Sequence, residues 1–391
     1  MCETMNNYTN NPFTVLGGIY QNPVVRALVR LRLTDESTES ERAFLRAVFE
    51  EDAQDGLLEY LSQLILYDEN PFSRACARGN APSVYLVRAM KDDLALLYRL
   101  ATVKDDRYRI DATQNLFGFW DGATVKFLQA YYAQNGYGAW MKYRAFRFAG
   151  GTVSPIFSPS SVALSDLKEY AREKAEVRDN LENFLCGFPF SDMLLYGDRG
   201  TGKSSTVHAM VNEFFSQKLR LVEIAKEDLL SLPALKTQLS EIPMKFLIFI
   251  DDFSLSEDDP RFSTLKACLQ GTMEGHADNV MIVATSNRRH IVEENFDTRK
   301  NSIHAGDSEQ ELLSLSDRFG ITVLFSAVNK QTYQSILLQM ARDESLPYSE
   351  EQLQLYGERW AILHGGRSPR RAKQLMDYLI ACKKKGILPQ I

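Results

Sequence analysis

Between Gly197 and Ser204 the chain reads Gly-Asp-Arg-Gly-Thr-Gly-Lys-Ser, the complete GxxxxGK[ST] spacing. Residues of these types in this order suit the phosphates of a nucleoside triphosphate. Gly197, Gly200 and Gly202 let the backbone curl around an anion with its N–H groups turned inward. Asp198, Arg199 and Thr201 complete the loop. Ser205 follows at the start of the next helix, whose N-terminus carries partial positive charge. Lys203 supplies a full cation to the β and γ phosphates, and Ser204 offers a hydroxyl to Mg²⁺. The expected ligands are therefore ATP or ADP with Mg²⁺. An apolar run, Met193–Tyr196, precedes the loop, and a helix-compatible run, Ser205–Phe215, follows it. Strand, loop and helix in that order separate a phosphate-binding loop from a chance glycine-rich turn.

A second chemical feature lies downstream. Phe246–Ile250 is an unbroken apolar run that ends on two carboxylates, Asp251 and Asp252. In an open parallel sheet, ligands bind outside the carboxyl ends of the strands. The tip of this strand is thus expected beside the phosphate loop, with Asp251 on the metal and Asp252 orienting the attacking water. The competing reading is an acidic turn, since Glu257, Asp258 and Asp259 follow closely. One strand, Arg220–Ile224, intervenes in sequence between the two features. That favours the additional-strand branch of P-loop ATPases.

The elements that must position these residues are legible in outline. Strands are expected at Met193–Tyr196, Arg220–Ile224, Phe246–Ile250, Val280–Thr285 and Thr322–Phe325, with helices between them. This alternation predicts a parallel sheet with crossovers. After Asn329 only helical patterns remain, at about Gln331–Arg342, Ser349–Leu363 and Pro369–Lys384. The fold class is therefore α/β: a P-loop NTPase core with a five-stranded parallel sheet and a C-terminal helical lid. A mostly helical region precedes it. Glu41–Leu66 and Val84–Leu100 carry apolar residues at helical spacing, and Tyr143–Phe148 suits one edge strand. The aromatic stretch Phe127–Met141 reads as core rather than as a base-stacking surface. Expected boundaries are 1–147 for the helical domain, 148–165 for a turn-rich linker, 166–329 for the core and 330–391 for the lid.

Three further segments resemble AAA+ ATPases. Val280–His290, with its Ala-Thr-Ser-Asn tip, resembles the first sensor strand of that class. Leu315–Gly320 resembles the box that holds an arginine finger, and Gly366–Gln374 resembles the second sensor on the lid. The combination of ATSNRRH with LSDRFG looks like a bacterial group of predicted AAA+ ATPases catalogued as domain of unknown function eight hundred and fifteen. The likeness runs from about Tyr143 to Tyr378. It implies that Asn287 is the polar sensor between Asp251 and the γ-phosphate. It also implies that Arg318 is a finger reaching a neighbouring subunit, so that the active form is a homo-oligomer. Arg370 best matches the second-sensor arginine, with Arg367 and Arg371 as rivals. Two departures matter. AAA+ proteins usually carry Glu where this chain has Asp252, which makes a slow, switch-like ATPase plausible. No aromatic-hydrophobic-Gly pore loop is evident, and Ser254–Arg261 is acidic, so threading of polypeptide through a ring is not supported.

Composition bounds the remaining possibilities. The 391 residues are 45% hydrophobic with a net charge of −6, ordinary for a globular chain and without global attraction for nucleic acid or anionic membrane. No run approaches the ~20 apolar residues of a membrane span, and Met1–Asn11 lacks the apolar segment of a signal peptide. A cytoplasmic location is expected. The cysteines, Cys2, Cys76, Cys186, Cys268 and Cys382, are odd in number and widely spaced, which disfavours a disulfide framework or zinc site. The leading reading is an ATPase that remodels or loads an unidentified protein partner selected by the N-terminal domain. One alternative is a slow, nucleotide-gated binding module. Another is a nucleic-acid remodeller akin to helicase loaders, using Arg288, Arg289, Arg299, Lys300 and Lys383–Lys385. The overall acidity disfavours that last reading.

Overall fold

The computed structural model describes residues 11–34, 37–102, 116–118, 120–253, 259–270, 277–287 and 318–391. They form two compact units. One holds the described residues up to Lys142 together with Glu241–Pro243, and the other holds Tyr143–Ser240 and Met244–Ile391.

The N-terminal unit is helical: α1 (Pro23–Val29), α2 (Thr38–Glu50), α3 (Leu57–Leu66), α4 (Pro71–Ala77), α5 (Val84–Thr102), α6 (Gly122–Asn135) and α7 (Ala139–Lys142). The apolar pattern over Glu41–Leu66 belongs to two helices, separated by a turn in which Asp52 is left-handed. The aromatic stretch is likewise broken, by left-handed Gly136 and Gly138. Tyr132, Tyr137 and Trp140 are buried, and the Tyr132 hydroxyl donates to the Ile65 carbonyl at 2.5 Å. Phe127 is half exposed and stacks on Tyr131. Buried Asp93 on α5 accepts the backbone N–H groups of Thr14, Val15 and Leu16, which ties the incoming segment to the unit.

The second unit is built on a seven-stranded sheet: β1 (Ala145–Ala149), β2 (Thr152–Pro155), β3 (Met193–Gly197), β4 (Leu219–Ile224), β5 (Lys245–Ile250), β6 (Val280–Ser286) and β7 (Ile321–Phe325). Their order is β2-β1-β4-β5-β6-β3-β7. All neighbours are parallel except the β1–β2 hairpin. Five strands are expected from the sequence. The other two come from the stretch read as an edge strand and linker, where Gly150 and Gly151, both left-handed, close a hairpin onto β4. Alternation marks β1, but β1 is paired on both sides and β2 is the edge strand; periodicity does not reveal β2 or the pairing with β4, because these short strands gain their order from distant partners. β5 and β6 are buried along nearly their whole length, as expected of central strands covered on both faces. Helices α8 (Ala171–Cys186) and α9 (Lys203–Phe214) cover one face through Val177, Leu181, Phe184, Met210 and Phe214.

α10 (Leu232–Ser240) and α11 (Pro260–Gln270) complete the core. The lid is α12 (Lys330–Asp343), α13 (Glu350–Leu363) and α14 (Pro369–Lys385), packed around Tyr333, Leu337, Leu353, Leu375 and Leu379. Its helix starts carry clear local signals. Asn329 caps α12, Ser349 and Gln352 form a capping box on α13, and Ser368 caps α14 with Pro369 in its first turn. Among the described residues, Cys76, Cys186, Cys268 and Cys382 are free thiols, and no helix is long and apolar enough to cross a membrane.

Candidate functional site

The chain runs from β3 past two intervening positions to β4, returns through β5 and β6 toward β3, and then places β7 on the other side. The order therefore reverses beside β3, and the crevice at its carboxyl end is the natural ligand position. β3 ends at Gly197, β5 delivers Asp251 and Asp252, and β6 delivers Asn287. The strand separating the phosphate-loop strand from the acidic strand in space is β6. β4, which intervenes in sequence, lies beyond β5.

The loop is shaped by left-handed backbone at Gly197 (φ +131) and Gly200 (φ +77). A Cβ on Gly197 would collide with the Phe325 carbonyl oxygen, so the close approach of β3 to β7 requires glycine there. Gly197→Ala is expected to destabilise the protein by ~2 kcal/mol or more. Thermal unfolding checks this, and an unchanged Tm would contradict it. A Cβ on Gly200 would press within 3.1 Å of Ser368 Oγ and 3.3 Å of Arg370 Cβ, because the start of α14 packs directly on the loop. The Arg370 amide donates to the Gly200 carbonyl at 3.2 Å. Asp198 accepts the Ala327 amide at 2.9 Å, and the Tyr170 hydroxyl donates to the Ser326 carbonyl at 2.6 Å. The short connection between β7 and the lid is thus held from two sides.

Lys203 opens α9 and is buried. Its ammonium donates to the carbonyls of Gly197 (2.9 Å) and Asp198 (2.8 Å) and to Asn287 Oδ1 (3.1 Å). Burial pushes its pKa down. Asp198, Asp252 and Asp251 oppose that shift, and Arg370 adds to it. Ser204 Oγ donates to Asp251 Oδ1 at 2.6 Å. The Asn287 amide bridges the two halves of the site, accepting from Lys203 and donating to Asp252 Oδ1 at 2.5 Å. Asp252 itself is left-handed (φ +47).

Arg199, Gly200, Gly202, Lys203, Ser204, Ser205, Asp251, Asp252, Thr285, Asn287 and Arg370 line one polar cavity of about 380 Å³. A second, more apolar cavity of about 230 Å³ adjoins the loop at Gly200–Gly202. Its walls include Tyr170, Lys174, Met340 and Lys373. A polar compartment with cations and hard oxygen donors beside an apolar one has the form of a nucleotide site. The Ser204 hydroxyl and the Asp251 carboxylate, both oxygen donors, suit Mg²⁺, which takes one or two protein oxygens and completes its shell from phosphate and water.

A family model described as protein of unknown function (DUF815) matches residues 141–383. The chain belongs to the DUF815 family. No curated protein matches it. Among solved structures, the chain is similar to the Thermotoga maritima RuvB Holliday junction branch migration motor. That likeness has 15% identity and a TM-score of 0.40, and covers 57% of this chain and 66% of that one. The chain thus spans just under two thirds of the RuvB length. It is also similar to the FIGL-1 AAA domain in complex with ADP, with 17% identity, a TM-score of 0.40, and coverage of 58% of this chain and 76% of that one. In this DUF815 protein, the strand order with β6 between the phosphate-loop and acidic strands, followed by a helical lid, is the AAA+ arrangement of a P-loop NTPase.

Most of the residues singled out in the sequence meet in the polar cavity. Thr201 does so indirectly: it is buried and donates from Oγ1 to the Asp198 carbonyl at 2.9 Å, bracing the loop. The three lid arginines separate by their partners. Arg367 is paired with Glu358 at 2.6 Å, Arg371 with Gln374 Oε1 at 2.8 Å, and Arg370 lines both cavities. Arg318 does not join them. It lies just before β7, at the amino edge of the sheet, and its Nε is buried without a hydrogen-bond partner among the described residues. Of the basic residues considered for nucleic acid, Arg288, Arg289, Arg299 and Lys300 lie outside the described residues, as does the polar stretch Asn301–Gln310. Lys383 donates to the carbonyls of Glu344 and Ser345.

Sequence reasoning in this DUF815 chain misses Tyr170 and Thr285. Tyr170 follows Glu169, and both are left-handed (φ +54 and +63), a costly pairing for two non-glycine residues that marks functional segments elsewhere. The Tyr170 ring lies 5.2 Å from that of Phe325, and burial, then Glu173 and Asp198, push its pKa up to about 12. Nothing in the local sequence signals this conformation. Thr285 is visible as part of the polar strand tip, but its hydroxyl bonds depend on a neighbouring strand.

Proposed function

We propose that this protein is an ATPase of the AAA+ class that hydrolyses ATP with Mg²⁺ in a homo-oligomer and uses the cycle to remodel or load a protein partner. The observation that carries this reading is the junction of Ser204 and Asp251 at 2.6 Å, beside Lys203 and the Asn287–Asp252 pair. Phosphoryl transfer needs cations on the phosphates, an oxygen set for the metal and a group that orients water, and all three meet there.

In this reading the loop amides and Lys203 hold the β and γ phosphates, and the apolar cavity receives the nucleoside. Ser204 and Asp251 hold Mg²⁺, which when bound neutralises charge on the β and γ oxygens. Asp252 orients the attacking water and accepts its proton, and Asn287 keeps that carboxylate facing the γ-phosphate. Arg370 carries closure of the phosphate site into the lid. Arg318, at the amino edge of its own sheet, serves the site of a neighbouring copy. Contacts of this head-to-tail kind are heterologous and generate a ring or an open helix. The helical N-terminal unit selects the partner.

Turnover per protomer is expected to rise with protein concentration in the presence of Mg²⁺ and to level off once the assembly is complete. Lys203→Ala is the control that removes phosphate binding. A flat, low rate at every concentration, with ATP still bound through Lys203, would replace the motor reading with a nucleotide-gated binding module.

A further inference from the structure

Adjacent residues of an extended strand point to opposite faces. Asp251 and Asp252 are adjacent, yet both line the same polar cavity. β5 ends at Ile250, and in the turn that follows the φ of +47 at Asp252 brings its carboxylate to the side of Asp251. Three hydrogen bonds from one residue of β6 hold that turn. Thr285 is 1% exposed. Its Oγ1 lies 2.9 Å from the Asp252 amide and 2.6 Å from Asp251 Oδ1, and its carbonyl accepts the Phe253 amide at 2.7 Å.

The direction of each bond follows from the chemistry. An amide only donates, so Oγ1 accepts from Asp252 N. The single hydroxyl proton is then available for Asp251, and it goes to the same Oδ1 that Ser204 engages. Asp251 Oδ2 is left without a hydrogen bond from any described residue. Asp252, turned by its amide, reaches Asn287 Nδ2 at 2.5 Å.

We propose that Thr285 is a positioning residue that divides the labour of the two carboxylates. Its hydroxyl proton orients Asp251 toward Ser204, and its oxygen holds Asp252 in the left-handed turn that brings the second carboxylate to Asn287. Both bonds of the Thr285 hydroxyl run to the two aspartates, and it acts through them. The inference rests on the ATP and Mg²⁺ reading above.

The test compares Thr285→Val, which keeps the branched shape without the hydroxyl, with Thr285→Ser, which keeps the hydroxyl without the methyl. The full chain binds the fluorescent analogue mant-ATP in EDTA and across a Mg²⁺ titration, and ATP turnover is measured alongside. Thr285→Val is expected to bind mant-ATP in EDTA within about twofold of wild type, since the loop and Lys203 are untouched. Its half-saturating Mg²⁺ should rise about 10- to 100-fold, the range over which outer partners of metal ligands act. Its kcat should fall with KM little changed. Thr285→Ser should restore both within about threefold, because the two hydroxyl bonds return.

A Thr285→Val protein with wild-type Mg²⁺ dependence and kcat overturns the proposal. So does a Thr285→Ser protein as impaired as Thr285→Val, which would show that the hydroxyl does not carry the effect. Equal loss of mant-ATP affinity in EDTA also overturns it, as a general collapse of the site. A wild type that binds no mant-ATP overturns the ATP reading itself, and this inference with it. A wild type that binds and hydrolyses while Thr285→Val matches it removes this inference alone.

Discussion

Arg318→Ala is expected to lower ATP turnover by about 10³-fold or more, the scale of an arginine finger, while ATP affinity stays within about twofold of wild type. Position is the reason for both halves of this expectation. In the parallel β3–β7 pair, Gly197 lies opposite Phe325 and Met193 opposite Ile321. The phosphate loop is therefore at one end of β7, and Arg318 precedes the other end by three residues. A five-residue strand spans roughly 13–17 Å, so the Arg318 guanidinium is far from the phosphates of its own chain. Its removal leaves the local binding site intact.

Turnover per protomer, measured against concentration for wild type and variant, checks this. In the variant the rise with concentration should disappear. A variant that keeps wild-type turnover would remove Arg318 from the mechanism, and with it the main structural reason for expecting an oligomer. A parallel loss of ATP affinity would place its effect on binding rather than on the transferring phosphate.

Asp252→Asn is expected to reduce turnover by about 10² to 10⁴, the usual contribution of a positioned base, and to leave ATP bound. Asparagine is the suitable replacement because the backbone here is left-handed, φ +47, a conformation that Asn tolerates better than most residues. It also keeps an oxygen that can accept from Asn287 Nδ2, so the turn and the cavity wall survive. What is lost is the negative charge that orients water and takes its proton. Asp252→Ala would confound this by straining the turn. Single-turnover hydrolysis alongside mant-ATP affinity gives the measurement. Hydrolysis at the wild-type rate would show that Asp252 is an acidic turn residue only. A long-lived ATP complex would favour a protein that acts through its bound state, because the bond from Asn287 already restrains this carboxylate.

Much of the core is legible in the order of residues alone. All five strands expected in the core lie within one residue of their observed limits; β5 and β6, for example, are largely apolar runs buried along nearly their whole length and need no partner to be recognised. The lid helices are equally local, each opened by a side chain that caps its own first turn. The phosphate loop belongs to the same class, since glycine backbone freedom, a lysine and a serine act within eight consecutive residues. Where meaning depends on a distant partner, the sequence is silent or ambiguous. Hydropathy does not show that β6 rather than β4 separates β3 from β5, or that a short hairpin extends the sheet beyond β4. Three arginines within five residues are equivalent as text. Only the packing of α14 on Gly200 brings Arg370 to the two cavities, while Glu358 and Gln374 engage the other two. Thr285 is the sharpest instance. Its residue type suits any strand tip, and its role arises because β5 and β6 are paired neighbours whose ends bring one hydroxyl to two carboxylates. Local conformation and the chemistry of contiguous residues follow from near neighbours along the chain, whereas the alignment of remote groups follows only from which strands the folded sheet sets side by side.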